Sequence, residues 1–261
     1  FTTGFFLAGI YPVGMKIASD WYEKGLGRAL GYLVGALVFG TAFPHLLKDL
    51  TATLPWKYVI ISTSLCASLG GLLIYLFVPD GPYRKRSQEL DLKAFFKVFK
   101  KREFRAAAFG YFGHMWELYT LWAFIPIILI SYSNPNSENT LSVPLLSFLI
   151  IGLGGFSCII GGYLSQKLGS YKVAFYSLFA SGVCCLLSPL AFQMPYVLFL
   201  AFLFFWGMVV ISDSPQFSTL VAQTTPKESI GTALTIVNCI GFSITIISIQ
   251  LINLLIHKIP I

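Results

Sequence analysis

The stretch Tyr11-Pro12-Val13-Gly14-Met15-Lys16-Ile17-Ala18-Ser19-Asp20-Trp21-Tyr22-Glu23-Lys24-Gly25-Leu26-Gly27-Arg28-Ala29-Leu30 is echoed near the other end of the chain. Laying Tyr11-Pro12 over Ser214-Pro215, an offset of 203 residues, brings Lys24 onto Lys227. One inserted residue later, Leu26-Gly27-Arg28-Ala29-Leu30 lies over Ile230-Gly231-Thr232-Ala233-Leu234. A shared proline, a basic loop on the same side and a Gly-x-Ala-Leu start to the next apolar run together make a repeat, which short apolar words alone would not.

The runs that flank the repeat are too apolar for water. Hydrophobic residues make up 56 % of the chain and charged ones only 11 %, against about 25 % charged in a soluble domain. Mean hydropathy is +0.75. Apolar stretches of about 17 to 25 residues suit a helix crossing a hydrocarbon core of roughly 30 Å. Eight can be marked, at 1–21, 28–47, 57–78, 105–130, 143–165, 172–192, 196–222 and 231–256. Turn chemistry such as Pro79-Asp80-Gly81-Pro82 and Asn134-Pro135-Asn136 separates them. Sustained two-residue alternation is missing, so strands do not compete. The expected class is an all-α polytopic membrane protein.

The net charge of +7 could suggest nucleic acid. Half of the eighteen Lys and Arg residues, however, fall between Arg84 and Arg105, between two apolar runs. Membrane topology explains this better, because short loops rich in Lys and Arg stay cytoplasmic. Alternate loops separate cleanly: Lys24 and Arg28, the 84–105 group, Lys167 and Lys172, and Lys227 on one side; Lys48, Lys57 and Lys258 on the other. The first run therefore enters from outside. The chain also opens at Phe1 inside an apolar run, so an internal piece of a longer protein is expected. In the basic loop at 80–104, Leu92, Phe95, Phe96 and Phe99 share a helical face opposite lysines, an interfacial-helix pattern that suits a connector lying on the anionic leaflet or, more sharply, a regulatory lipid sensor. The five cysteines, Cys66, Cys158, Cys184, Cys185 and Cys239, lie inside apolar runs without metal-ligand spacing and read as small, inert core residues.

Two similar halves related along the membrane normal are the build of major facilitator carriers, and the chain resembles that superfamily throughout. The segment Gly162-Tyr163-Leu164-Ser165-Gln166-Lys167-Leu168-Gly169-Ser170-Tyr171-Lys172 is similar to its loop signature, Gly-x-Leu-Ala-Asp-Arg-x-Gly-Arg-Arg/Lys. Gln166 replaces the family's Asp and Ser170 a base. Gly31, Gly35, Gly40 and Pro44 look like a loosened antiporter signature without its Gly-Pro dipeptide, and helix-packing glycines are the favoured reading. The resemblance implies helices four to eleven of twelve. It divides the chain into the remainder of an N-terminal bundle at 1–79, a cytoplasmic linker at 80–104 and a C-terminal bundle at 105–261. It implies gating roles for Gly162, Gln166, Gly169 and Lys172, residence in a bacterial inner membrane, and a monomer. The helix-seven stretch Gly113-His114-Met115-Trp116-Glu117-Leu118-Tyr119 resembles bacterial members commonly grouped with small-anion or drug and sugar efflux carriers, a grouping that names no substrate and no direction.

Ionisable side chains at bilayer depth cost several kcal/mol unless paired or wet. Glu117 stands about 18 Å along its helix from residue 105. His114 is three residues before it, so the two can pair, and either could exchange a proton during a transport cycle. A structural pair is the alternative. Asp213 sits beside Ser212, Ser214, Pro215 and Gln216 in a second polar cluster, where proline frees a carbonyl and permits a kink. With Tyr111 these residues form the expected proton-coupling or substrate-binding set. Lys16 and Asp20 are four apart and suit a gate or a structural ion pair. Tyr111, Trp116, Tyr119 and Trp122 could stack on a ligand or simply pack, and His45, Asn238 and Gln250 suit interhelical hydrogen bonds.

The expected function is secondary-active movement of a small solute by alternating access, coupled to protons, with the bilayer and the solute as partners and no nucleic acid. A non-transporting receptor or assembly protein on the same fold is the alternative. A membrane enzyme is the weaker rival, because neither a His-x-x-x-His, Cys-x-x-Cys nor Gly-x-Ser-x-Gly constellation is present. Neither cofactor nor metal is expected.

Overall fold

The computed structural model describes residues 2–7, 9–51, 55–84, 99–132, 142–256 and 258. Regular structure among them is helical: α1 Thr2–Leu7, α2 Ile10–Trp21, α3 Leu26–Leu50, α4 Lys57–Phe77, α5 Arg102–Tyr132, α6 Val143–Leu168, α7 Ser170–Ala191, α8 Tyr196–Ser212, α9 Ser214–Thr224 and α10 Ile230–Ile256. A single 3-10 turn at Lys227–Ser229 leads into α10. Seven stretches among the described residues are long and apolar enough to cross a membrane, with α8 and α9 together forming one of 29 residues. The run expected at 1–21 is instead two pieces, α1 and α2, so its length as a single helix falls short.

Helix ends follow local chemistry. Gly25 and Gly169 hold φ of 75° and 85°, a left-handed conformation natural only to glycine, and each turns the chain within a few residues into the next helix. Ser142 caps α6 by accepting from the Leu145 N–H at 3.2 Å. Pro215 has no N–H to offer the carbonyl one turn back. That carbonyl, Ile211 O, accepts the Cys158 thiol at 3.4 Å instead, and the span breaks into α8 and α9 at Asp213.

The most extensive helix pair is α3 on α6, running antiparallel. A Cβ added to Gly31 would lie 2.7 Å from Cys158 O, and one on Gly35 would lie 2.8 Å from Gly155 O, so the two backbones approach where only glycine fits. Around this axis one apolar cluster gathers Val34, Val38, Trp122, Ile150 and Leu203. A second gathers Met15, Leu30, Phe104, Tyr111, Phe217 and Leu234. By contrast α4 buries no residue.

Glu23, Arg84 and Lys227, from three of the base-rich loops, border one cavity on a single face. Glu23 meets Lys227 there at 2.9 Å, and Gly81 docks so closely on the end of α2 that an added Cβ would lie 2.4 Å from Asp20 O. Asp49 and Ser142 meet at the opposite face. The expected interfacial helix falls at residues outside those described, except that Phe99 packs edge-on against Phe104 with ring centres 5.3 Å apart. The cysteines need correction: Cys158 and Cys184 are buried, but Cys66, Cys185 and Cys239 are exposed on helix surfaces. A helix that faces lipid is apolar on its outside too, so an apolar run does not imply burial.

Candidate functional site

Two polar clusters lie on different sides of α5. His114 Nδ1 is 2.8 Å from Asp213 Oδ1, and the two side chains are 0 % and 1 % exposed. Tyr111 and Phe217 flank the imidazole with ring centres 6.0 and 6.2 Å away. Asp213 is placed by the proline break, whose backbone also starts α9: the Gln216 and Phe217 N–H groups both donate to Asp213 O at 2.9 Å. Gln216 is fully buried one turn on, and its amide has no hydrogen-bond partner among the described residues. A Cβ on Gly27 would come within 3.3 Å of that amide oxygen and 2.7 Å of Ser165 Oγ, so α3 and α6 close over it.

Glu117 has other partners. Its Oε1 accepts from Ser181 Oγ at 2.5 Å, Cys185 Sγ at 3.1 Å and Trp206 Nε1 at 3.2 Å. It also borders a cleft of about 480 Å3 lined by Trp116, Phe124, Cys185, Phe192 and Ile252. The pairing expected between His114 and Glu117 is therefore corrected: the carboxylate beside His114 is Asp213. Residues three apart on a helix differ by about 60° around it and about 4.5 Å along it. That is enough for one to face the kink and the other α7.

Tyr111 donates to Asn238 at 2.5 Å, tying α5 to α10, and Asn238 donates back to Leu234 O at 2.8 Å. The Lys16–Asp20 ion pair forms within α2. It borders a cavity of about 450 Å3 at the base-rich face, together with Tyr83, Thr225 and Lys227. Gly162 lies against α3, where an added Cβ would be 3.0 Å from Gly27 O. Gln166 approaches Gly25, its amide nitrogen 3.3 Å from where a Cβ would stand. Gly169 supplies the positive-φ link between α6 and α7. Lys172 is exposed. Tyr119 and Trp122 pack on each other at 5.5 Å, with Trp122 in the core.

Sequence reasoning missed the ring around Glu117 and the Glu23–Lys227 bridge. The repeat held the signal for the bridge. Glu23 precedes Lys24, the counterpart of Lys227, so each loop presents its charge to its own duplicate. Arg28 likewise lies 5.7 Å above the Tyr163 ring, and the Tyr163 and Tyr32 hydroxyls are 2.8 Å apart.

Helices of spanning length, a buried ionisable pair between two of them and an internal repeat fit a polytopic membrane carrier. Residues 1–249 match the family model of the Major Facilitator Superfamily, and the chain belongs to that family of membrane transporters. No curated protein and no solved structure matches the chain.

Proposed function

We infer that the protein moves a small solute across the membrane by alternating access and that the His114–Asp213 pair carries the coupling proton. The observation that supports this most is the pair itself, fully buried at a break in the helix. Imidazole and carboxylate sharing one proton are neutral overall, and a dry site tolerates that state. Opening the site to water lets either group exchange its proton with solvent. Closure again requires the neutral pair. Proton exchange is thereby tied to the conformational step, and the break at Asp213 gives α9 freedom to move against α8.

The solute would lie beside the pair, where the Gln216 amide offers one donor and one acceptor group left unpaired among the described residues. The face holding the Glu23–Lys227 bridge is taken as cytoplasmic on the charge rule, in an inner membrane. The bridge, Lys16–Asp20, Gln166 and Lys172 then belong to the inner gate. Residues 1–79 act as part of one bundle and 105–261 as the other, in a single copy. Flux of candidate solutes in proteoliposomes, with and without a proton gradient, tests this reading. Flux that ignores the gradient would remove the proton, and no flux at all would favour a receptor on the carrier fold.

A further inference from the structure

Between the two polar clusters of α5 lies a file of hydroxyls, Ser212 at the end of α8 and Ser177 and Ser181 on α7. Ser212, the residue before Asp213, donates to Ser177 Oγ at 2.6 Å. Ser181 donates to Glu117 at 2.5 Å. Ser177 and Ser181 are four apart and so neighbours on one face of α7. Ser181 and Ser212 are 1 % and 8 % exposed. A hydroxyl both donates and accepts, which is what a proton relay requires. Both Asp213 carboxylate oxygens and His114 Nε2 are buried without a hydrogen-bond partner of good geometry among the described residues, and buried polar groups in that position take up water when the site opens.

We propose that Ser212, Ser177 and Ser181 relay protons between the His114–Asp213 pair and Glu117, so that α7 carries the proton path. This rests on the proton-coupled reading above. As the donors stand, the file points from Asp213 to Glu117. The Asp213 carboxyl gives its proton, through a water, to Ser212 Oγ as Ser212 passes its own to Ser177. Ser177 hands its hydroxyl proton to a water between the two α7 serines, that water protonates Ser181, and Ser181 passes its own proton to the Glu117 carboxylate. Each hydroxyl and water ends with the protons it began with. Asp213 has lost one and Glu117 has gained one. Rotation of the hydroxyls reverses the direction. The titratable groups acting on Asp213 are His114 and Glu117 of α5 and Cys158 of α6.

The test is infrared difference spectroscopy of the full chain in lipid bilayers after a jump in bulk pD, with the protonated-carboxyl bands assigned by Asp213→Asn and Glu117→Gln. Ser177→Ala and Ser181→Ala should slow the response of the Asp213 band by about tenfold or more. The Glu117 band should keep its rate, and Ser177→Thr should restore that of Asp213. A wild-type Asp213 rate in both alanine variants overturns the relay while leaving proton coupling in place. An Asp213 band that never responds to pD overturns both.

Discussion

Asp213 and His114 have little beyond each other to satisfy their charge, and this makes the pair sensitive to which partner is lost. Removing one member of a buried pair leaves the other charged and dry, at a cost of about 3–5 kcal/mol, whereas replacing both by apolar groups costs far less. His114→Leu should therefore destabilise the detergent-solubilised protein by about that amount, and His114→Leu with Asp213→Leu should recover most of it. Thermal unfolding of the two variants checks the sign; equal losses would mean that the pair carries no coupling. Depth and polarity along the sequence were enough to single out His114, Glu117 and Asp213. Which carboxylate sits beside the imidazole was not legible, because helical spacing gives a face of α5 but not the rotation of that face against the break at Asp213. Glu117 has its own assignment, held by Ser181, Cys185 and Trp206. If the relay operates, Glu117→Gln lowers gradient-driven flux without unfolding the protein, and flux unaffected by that change would remove Glu117 from the path.

The α3–α6 contact is decided by backbone geometry at the level of the element. A methyl group on Gly31 or Gly35 would meet a carbonyl oxygen at 2.7 or 2.8 Å, and a carbonyl on a helix has no rotamer with which to yield. Gly31→Ala and Gly35→Ala should each cost about 1–3 kcal/mol through overpacking. Gly40→Ala, with nothing within 4 Å of its Cβ, should be neutral or stabilising by up to about 1 kcal/mol. Denaturation midpoints of the three variants check the contrast. The sequence presented these glycines under two readings, and the close approach supports their use in packing. Pro215 likewise marked its break in advance, since a missing N–H is a property of the residue. The division between α1 and α2 had no such signal: Leu7-Ala8-Gly9 reads as ordinary apolar helix.

For the whole molecule, the repeat legible at Lys24 and Lys227 becomes a bridge joining the two duplicated loops. Hydrogen bonding to Lys227, with its positive charge, holds the Glu23 carboxyl below the ordinary glutamate range. The sign follows from that lowered pKa. The bridge is fully present above the ordinary glutamate pKa and is lost only as pH falls through the lowered one, so it is intact at neutral pH. Both side chains are exposed, so the effect is modest and weakens with salt. Glu23→Gln at neutral pH should act as acid does on the native protein: the thiol introduced by Thr225→Cys, at a position 7 % exposed, should react faster with a water-soluble maleimide. Unchanged labelling would show that the bridge does not hold this face closed. The direct test of the central claim is gradient-driven uptake of a panel of small solutes by the chain in liposomes, native against Asp213→Asn. The account predicts that an imposed pH gradient raises uptake of at least one solute and that Asp213→Asn abolishes this rise; a rise that survives Asp213→Asn undiminished would contradict it.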